Sequence, residues 1–219
     1  MTRPLEGVKI VEVAMWAFVP VAGAILSDMG AHVIKIEPPT GDPIRGLVTG
    51  VARGGGGFDL SWEAYNRGKQ SLTLDLKQAA GRDILFKLLA DADVFVTNLL
   101  PPARAALGID SQTIAAAFPG LIYAVGSAVG PNGPESDRGG YDAISFWARG
   151  GISSALTEAD AEAPMGPPGP AFGDTLSGSM LAGGICAAIA QKARTGAVSS
   201  VDVSLLGASM WAMQRSISQ

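Results

Sequence analysis

Asp174 and Asp142 stand in short motifs where a carboxylate could act as a nucleophile or a base. Asp174 lies in FGDTLSG, between a Pro/Gly-rich segment and a long apolar stretch. This pattern alone favours a helix N-cap, a position for which Asp is well suited. A helix start would also keep the carboxylate ionised, and its free N–H groups could stabilise the oxyanion formed when that carboxylate attacks an acyl group. Asp202 alternates with valines in a strand pattern and is expected to be structural.

Other common kinds of active site lack their residues in this sequence. His32 and Cys186 are the single histidine and the single cysteine, which argues against a metal centre and against a histidine-assisted serine or cysteine nucleophile. There is no G-x-S-x-G, G-x-G-x-x-G or Walker A motif. Residues 54–57 are four glycines with no predicted strand before them and no helix after them. We interpret them as a flexible loop rather than a phosphate-binding one.

Alternating strand-like and helix-like segments must position these residues. Segments rich in β-branched residues predict six strands, which cover residues 8–13, 32–37, 71–76, 93–98, 121–126 and 200–205. The predicted helices cover residues 20–29, 77–90, 143–149, a long segment after Asp174, and the residues after the last strand. We therefore predict an α/β fold: a Rossmann-like, open, mainly parallel sheet with flanking helices. Ligands bind such sheets outside the carboxyl ends of the strands, so the loops that follow the strands form the expected rim of a site.

Three polar residues near the predicted strand ends have two interpretations. The side chains of Lys69, Lys77 and Asn98 could bind phosphate oxygens at this rim. They would fit a solvated surface equally well, and the sequence by itself favours neither.

The composition predicts a globular protein with a hydrophobic core. Of the 219 residues, 47% are hydrophobic and 16% are charged, which argues against disorder. The formal net charge of −4 argues against a nucleic-acid partner. No apolar run reaches the ~18 residues of a membrane span, so residues 175–190 are expected to form a core helix and no membrane contact is predicted. A single cysteine and the lack of an apolar leader predict a cytoplasmic protein.

Seven segments of the chain form a set with a specific order. They are PLEGVKIVEV, SDMGAHVIKIEPPTGDPIRG, NRGKQSLTLDLK, ADVFVTNLLP, GGYDAISFWARGG, FGDTLSGSMLAGGICAAIAQKARTG and VDVSLLGA. Together they resemble the family III CoA-transferases, the group that includes formyl-CoA:oxalate and carnitine CoA-transferases and the α-methylacyl-CoA racemases. The resemblance covers most of the chain, so the set is specific although each segment alone is not.

The resemblance implies that residues 1–219 form the first, Rossmann-like part of a larger domain. Members of the family are considerably longer: a smaller domain follows this part, and the chain then returns to the large domain. Their two ring-like subunits are threaded through one another. For this chain the resemblance implies that the small domain and the returning segment are absent. It also implies pairing, either as an interlocked homodimer or with a related subunit.

The resemblance also implies that Asp174 is the catalytic nucleophile. In the transferases this aspartate attacks the acyl-CoA donor to give an aspartyl mixed anhydride and free CoA thiolate. The thiolate then forms an aspartyl-CoA thioester, which an acceptor carboxylate takes over. An anhydride is about as activated as a thioester, so no ATP is needed. Coenzyme A and acyl-CoA are thus expected as substrates, with no permanently bound cofactor and no metal.

Tyr141 separates two branches of this family. In the racemase branch a histidine precedes the aspartate of a Gly-His-Asp stretch, and here that position is Tyr141, while His32 lies on a different predicted strand. Tyr141 and Asp142 match the Tyr–acidic pair of the transferases and are expected to support Asp174. This match favours CoA transfer over the alternative, α-methylacyl-CoA epimerisation. The missing second domain suggests a third interpretation, a non-catalytic chain that only binds CoA or pairs with a full-length subunit.

The CoA-binding segments of the family match this chain at several positions. The loop that covers the adenine and pantetheine ends of CoA matches Met15, Trp16, Ala17 and Phe18. Later positions that match are Leu74, Lys77, Asn98 and Leu99.

Two basic positions of the family are not basic in this chain. They are occupied by Pro38 and Ala106, so the usual contacts with the 3′-phosphate of CoA are lost. Arg104, two residues before Ala106, is the expected replacement for one of them. Arg45 and Arg67 are further candidates.

Overall fold

The computed structural model describes residues 2–46, 53–54 and 58–217. Its strands are β1 (Lys9–Val13), β2 (His32–Glu37), β3 (Arg53–Gly54), β4 (Phe58–Asp59), β5 (Gln70–Thr73), β6 (Val94–Thr97), β7 (Ile122–Ser127) and β8 (Val201–Ser204). Six of them form one fully parallel sheet in the order β5-β2-β1-β6-β7-β8. The short strands β3 and β4 form a separate antiparallel pair. The predicted α/β fold with a parallel sheet is confirmed, and each of the six predicted strands is present with slightly different ends.

Helices cover both faces of this sheet. They are α1 (Phe18–Asp28), α2 (Leu60–Asn66), α3 (Ala79–Leu89), α4 (Pro101–Leu107), α5 (Ser111–Ala117), α6 (Ile152–Leu156), α7 (Phe172–Thr195), α8 (Leu205–Ala212) and α9 (Gln214–Ile217). A 3₁₀ turn covers Pro43–Gly46, and the predicted helix at 143–149 is a π-helix over Ala143–Ala148.

Alternate residues of the central strands enter two separate cores, one on each face of the sheet. On one face, Ile10, Val94 and Ile122 are almost fully buried and belong to a cluster that includes residues of α1 and α7. On the other face, Val11 and Phe95 join residues of α3 and α5. Successive side chains of a strand point to opposite faces, so a sheet covered on both faces needs strands that are apolar throughout. Each large apolar side chain buried in this way contributes about 1.5–3 kcal/mol.

Close packing between α1 and α7 holds the start of α7 at the carboxyl edge of the sheet. A Cβ atom at Gly178 of α7 would lie 2.7 Å from the carbonyl oxygen of Phe18 and 2.8 Å from Val21. Only glycine fits there, because real Cβ contacts are longer than this. Since α1 starts directly after the β1 loop, this contact places the first turn of α7 next to the end of β1.

Helix α7 is longer than the predicted helix at 175–190. It begins at Phe172 and continues to Thr195. It ends at Gly196, whose φ of 73° is a typical left-handed helix C-cap. Among the described helices, α7 is the one long and apolar enough to cross a membrane, and 39% of its apolar 18-residue window is buried. Core helices of globular proteins meet the same criterion of length and composition.

Four helices that the sequence analysis does not predict are present: α2, α4, α5 and α6. Helix α4 begins at Pro101, since proline is favoured in the first helical turn. Helices α2 and α5 were not predicted because they are short; each begins at an aspartate cap, Asp59 and Asp110 respectively. Of the predicted glycine loop at 54–57, residues 55–57 lie outside the described residues.

Candidate active site

A cavity of about 740 Å³ lies at the carboxyl edge of the sheet. The loops after β1, β6 and β7, the first turn of α7, and β8 contribute to its walls. The residues predicted for catalysis or CoA binding that line it are Met15, Trp16, Phe18, Asn98, Leu99, Arg104, Tyr141 and Asp174. The cavity includes the point between β1 and β6 where the strand order reverses, the usual ligand crevice of an open parallel sheet. The described residues of the loops after β2 and β5, also expected at the rim, are not among its walls.

Four other predicted residues lie outside these walls. Ala17 and Leu74 are buried in the hydrophobic cores. Lys77 is exposed beyond β5, at the outer edge of the sheet, and its backbone N–H donates to the side chain of Asp75. Asp142 accepts a hydrogen bond from the N–H of Gly173 at the start of α7. The structure therefore does not bring Lys77 to the cavity that contains Asp174.

Asp174 is not the N-cap of α7, so the capping prediction is wrong. The cap residue is Ala171, which has a φ of 57° and makes no side-chain capping bond. Because the helix begins at Phe172, Asp174 is already inside its first turn. The acceptor at this end is Asp142, whose Oδ2 accepts the N–H of Gly173 at 3.2 Å. One of the free N–H groups expected to stabilise an oxyanion is thus already bonded.

The carboxyl group of Asp174 has a pKa near neutral pH, so it is only partly ionised at pH 7. Burial, the larger cause, and the negative charge of Asp142 together raise its pKa to about 7. These two effects outweigh the stabilising influence of the helix start, so the predicted full ionisation is wrong. At pH 7 about half of the molecules carry a proton on this group. A carboxyl group buried next to another acid in a cleft is a common arrangement at catalytic sites.

Tyr65 of α2 is a residue near this pair that the sequence does not single out. Burial raises the pKa of its phenol, and the charges of Asp174 and Asp142 add to the shift. The phenol is therefore within electrostatic range of both carboxylates. In the sequence, Tyr65 directly precedes Asn66, the first residue of the segment NRGKQSLTLDLK. This position is the only feature of the sequence that could have pointed to Tyr65.

The loop after β1, residues 14–17, forms one wall of the cavity and is strained. Trp16 has a φ of 67°, a left-handed conformation that costs roughly 1–2 kcal/mol for a residue with a side chain. Asn98 binds both backbone groups of Met15: its Oδ1 accepts the N–H at 3.1 Å and its Nδ2 donates to the carbonyl at 2.7 Å. The indole of Trp16 stands edge-on to the ring of Tyr141, with centroids 5.7 Å apart. Asn98 therefore contacts the loop backbone as well as lining the cavity.

Arg104 brings a positive charge to the cavity. Its Nη1 donates to the hydroxyl of Tyr123 at 3.3 Å, and its Nε is buried without a hydrogen-bond partner among the described residues. Ala106, two positions further along α4, is exposed on a different side of the helix.

Asp202, expected to be only structural, also lines the cavity from β8. Burial raises the pKa of Asp202, whereas the charge of Arg104 lowers it.

The other basic residues considered for phosphate binding are already paired with carboxylates. Arg45 makes two 2.7 Å hydrogen bonds to Glu37 and stacks on Trp62, 3.4 Å from the ring centroid. Arg67 donates to Asp28 from Nε at 3.0 Å. Neither arginine lines the cavity.

Lys69 fits neither of its two predicted interpretations. Its side chain is 2% exposed and its Nζ lies 2.8 Å from Glu12, so it is neither a solvated residue nor a phosphate ligand. Burial lowers its pKa to about 8, although the nearby Glu12 acts in the opposite direction. In the part of the chain that the structure describes, no three His, Cys, Asp or Glu side chains are grouped as metal ligands.

The chain is similar to CoA-transferases in sequence. A sequence model of CoA-transferase family III matches residues 5–219. Cinnamoyl-CoA:phenyllactate CoA-transferase of Clostridium sporogenes is 35% identical over 97% of this chain and 51% of its own length. (R)-2-hydroxy-4-methylpentanoate CoA-transferase of Clostridioides difficile is 37% identical over 95% of this chain and 52% of its own length. The chain spans about half the length of the curated relatives it matches.

A solved structure agrees with these similarities. The crystal structure of a CaiB/BaiF family protein from Brucella suis superimposes with a TM-score of 0.90 and 33% identity. The match covers 100% of this chain and 57% of that one. Together with the family match over residues 5–219, this establishes that the chain belongs to CoA-transferase family III.

Proposed function

We propose that this chain carries the nucleophile of a CoA-transferase, which moves CoA from an acyl-CoA donor to an acceptor carboxylic acid. The observation that carries the proposal is the position of Asp174, a partly buried carboxyl group in the wall of a cavity at the sheet's carboxyl edge. Curated relatives in sequence are named as CoA-transferases. No other acid of the cavity combines burial, a negative neighbour and a helix start in this way among the described residues.

The reaction begins when the ionised carboxylate of Asp174 attacks the carbonyl carbon of the thioester. The carbon–sulfur bond breaks, CoA leaves as a thiolate, and the acyl group stays on Asp174 as a mixed anhydride. The thiolate then attacks the aspartyl carbonyl, releases the donor acid as a carboxylate, and leaves an aspartyl-CoA thioester. The acceptor carboxylate repeats these two steps in reverse order, which regenerates Asp174 and gives the new acyl-CoA.

The surroundings of Asp174 suit each step of this sequence. Burial weakens the solvation of the carboxylate, which makes it a better nucleophile than an exposed aspartate. The hydrogen bond that the N–H of Gly173 donates to Asp142 fixes the start of α7, and hence the place of Asp174. Tyr141 lies beside it in the cavity wall, where its exposed ring can contact the acyl portion.

The rest of the cavity suits an extended ligand that is apolar along its length and anionic at one end. Met15, Trp16, Phe18 and Leu99 supply apolar walls, and Arg104 supplies the cation that a phosphate group requires. Coenzyme A would therefore be a substrate that enters and leaves, rather than a permanently bound cofactor.

Trapping of the intermediate tests this proposal directly. The protein purified from its natural source is incubated with an acyl-CoA and then quenched with hydroxylamine, which converts an aspartyl anhydride or thioester into a hydroxamate. Peptide mass spectrometry should find that modification on Asp174 and not on Asp142 or Asp202. An unmodified Asp174 during measurable transfer would contradict the mechanism. Exchange of the substrate's α-proton with solvent, without release of CoA, would instead indicate the epimerase.

Assembly with a second chain is part of the proposal. Met210 and Trp211 of α8 are 47% and 65% exposed, and Ile217 is 58% exposed, which is unusual for large apolar side chains so close together. An interlocked homodimer, or a pair with a related subunit, would cover them. Light scattering on the purified protein distinguishes these states from a monomer. A monomer that binds CoA in calorimetry but transfers nothing would support the non-catalytic interpretation.

A further inference from the structure

Four charged side chains form a buried network beneath the β1 loop. Lys35 of β2 and Lys69 flank Glu12 of β1, with Nζ–O distances of 3.1 Å and 2.8 Å, and Lys35 lies 2.9 Å from Oδ2 of Asp42. Each of these side chains is at most 2% exposed. Two positive and two negative charges make the network neutral. Lys69 also donates to the carbonyl of Pro20 in the first turn of α1 at 2.8 Å.

The remaining polar atoms of this network bind the backbone of residues 14–17 and of the turn at Asp42. Lys35 Nζ donates to the carbonyl of Ala14 at 2.9 Å. Oδ1 of Asp42 accepts the N–H of Trp16 at 3.1 Å, and the same oxygen accepts the N–H of Ile44 at 3.1 Å. The network thus reaches the loop on both sides of Met15, whose own backbone groups are bound by Asn98.

A buried ionic network of this kind is a poor source of stability by itself. Removing charges from water is expensive, and apolar residues of similar volume often give an equally stable fold. What this network supplies is geometry, because its side chains accept from and donate to loop atoms that would otherwise find partners in water. The loop conformation it holds includes Trp16, the left-handed residue whose indole lines the cavity.

We infer that Asp42 is a positioning residue for the ligand cavity. It is bonded to the N–H of Trp16, and its ion pair with Lys35 fixes its orientation, so together they keep Trp16 in the left-handed conformation. The wall formed by Trp16 is then in place before a ligand arrives. This lowers the entropic cost of ordering the loop when the ligand binds. The assignment of the ligand as a CoA thioester rests on the proposed function. The effect on the conformation of Trp16 does not.

The variant Asp42→Asn tests this inference. It keeps the size of the side chain but removes the charge that faces Lys35, so the amide group turns and loses the bond to the N–H of Trp16. The matched control is Asp110→Asn, since Asp110 also accepts two backbone N–H groups, from Gln112 and Thr113, and does not line the cavity. Asparagine is an equally good cap there.

Two measured quantities are expected to change together in Asp42→Asn. Neither of them should change in the control. Hydrogen exchange of the Trp16 amide, measured by NMR, should speed up at least tenfold. The Kd for CoA, measured by calorimetry, should rise about tenfold, or about 1.4 kcal/mol. In a Trp16→Gly background Asp42→Asn should add little to the Kd, because glycine adopts a positive φ without help.

Several outcomes would overturn the inference. One is hydrogen exchange of the Trp16 amide in the unmodified chain at the rate of an open loop. This measurement does not depend on whether a variant folds. Others are an Asp42→Asn variant that keeps both the amide protection and the affinity, or one whose losses equal those of Asp110→Asn. A chain that binds no CoA at all would contradict the proposed function, and the exchange data would still decide whether Asp42 holds Trp16.

Discussion

Two clusters of charge, one buried and one partly buried, lie at the same edge of the sheet and differ in their balance. The network of Glu12, Lys35, Lys69 and Asp42 is neutral, and every member has an opposite charge within about 3 Å. Around Asp174, by contrast, the charge that shifts its pKa belongs to another acid, Asp142, and no salt bridge joins a cation to either of them among the described residues. Balanced charges in the interior can hold a backbone in place. An unbalanced pair keeps a carboxyl group reactive, at a cost to stability.

The largest expected effect comes from removing the unbalanced charge itself. Asp174→Asn should lower the rate of CoA transfer on the order of 10⁴-fold or more, as expected for loss of a covalent nucleophile. The rate is measured as exchange of CoA between an acyl-CoA and an isotopically labelled acid. Asp160→Asn, in an exposed loop, is the control and should transfer at the normal rate. Substantial transfer by Asp174→Asn would place the nucleophile elsewhere.

Removing one charge from the balanced network should destabilise the fold. Lys35→Met leaves Glu12 and Asp42 as buried acids with one cation between them, which typically costs about 3–5 kcal/mol. Urea denaturation gives the free energy of unfolding. Lys9→Met on the neighbouring strand removes an exposed ion pair with Asp91 and should cost less than about 1 kcal/mol. Equal losses in the two variants would mean that burial of the network has little energetic weight.

Removing the charge at Asp174 should stabilise the fold, in contrast to removing the charge of Lys35. The folded pKa of about 7 lies above the ordinary value of 3.8, so the unfolded chain loses this proton first and the native state becomes less stable as the pH rises from about 4 to about 7. Asp174→Asn avoids that loss and should be more stable by up to roughly 4 kcal/mol at pH 8. At pH 4 the two proteins should differ little. Thermal unfolding at both pH values measures this, and a variant destabilised at pH 8 would contradict the raised pKa.

The smallest expected effect is a shift in the pH profile. Transfer should rise with pH through about 7, because only the ionised Asp174 attacks the thioester. Asp142→Asn keeps an oxygen for the N–H of Gly173 but removes the negative neighbour, so the rise should move to lower pH. The shift should be smaller than the full displacement from 3.8, since burial is the larger cause. An unchanged profile would show that Asp142 does not influence the nucleophile.

The sheet and the location of Asp174 could be predicted, for different reasons. The central strands β1, β6 and β7 are buried on both faces, so their apolar, β-branched residues identify them without any knowledge of their neighbours. Asp174 is identified by a resemblance over seven segments rather than by its own motif, which is equally typical of a helix cap. Its raised pKa could not be predicted, because the larger cause is burial in the folded chain. The second cause is Asp142, which stands 31 residues before the Gly173 whose N–H it accepts.

The buried network shows a second limit of prediction from one sequence. Lys69 follows a helix and precedes a strand, which is typical of an exposed residue, and its burial depends on Glu12 from another strand. Asp42 sits in a Gly/Pro-rich turn and resembles an ordinary turn residue. Such partners come together only in the folded chain, since they belong to four separate segments.

The crossover between β7 and β8 has a consequence for how the chain matures. Ala124 pairs with Val201, and the whole of α7 lies between them. During synthesis on the ribosome, five strands can already associate while the segment that bears Asp174 has not yet emerged. Such distant pairing forms late and slowly. A nascent chain would therefore expose the apolar edge of β7 for a time, which makes this interval the one in which a chaperone is of most use.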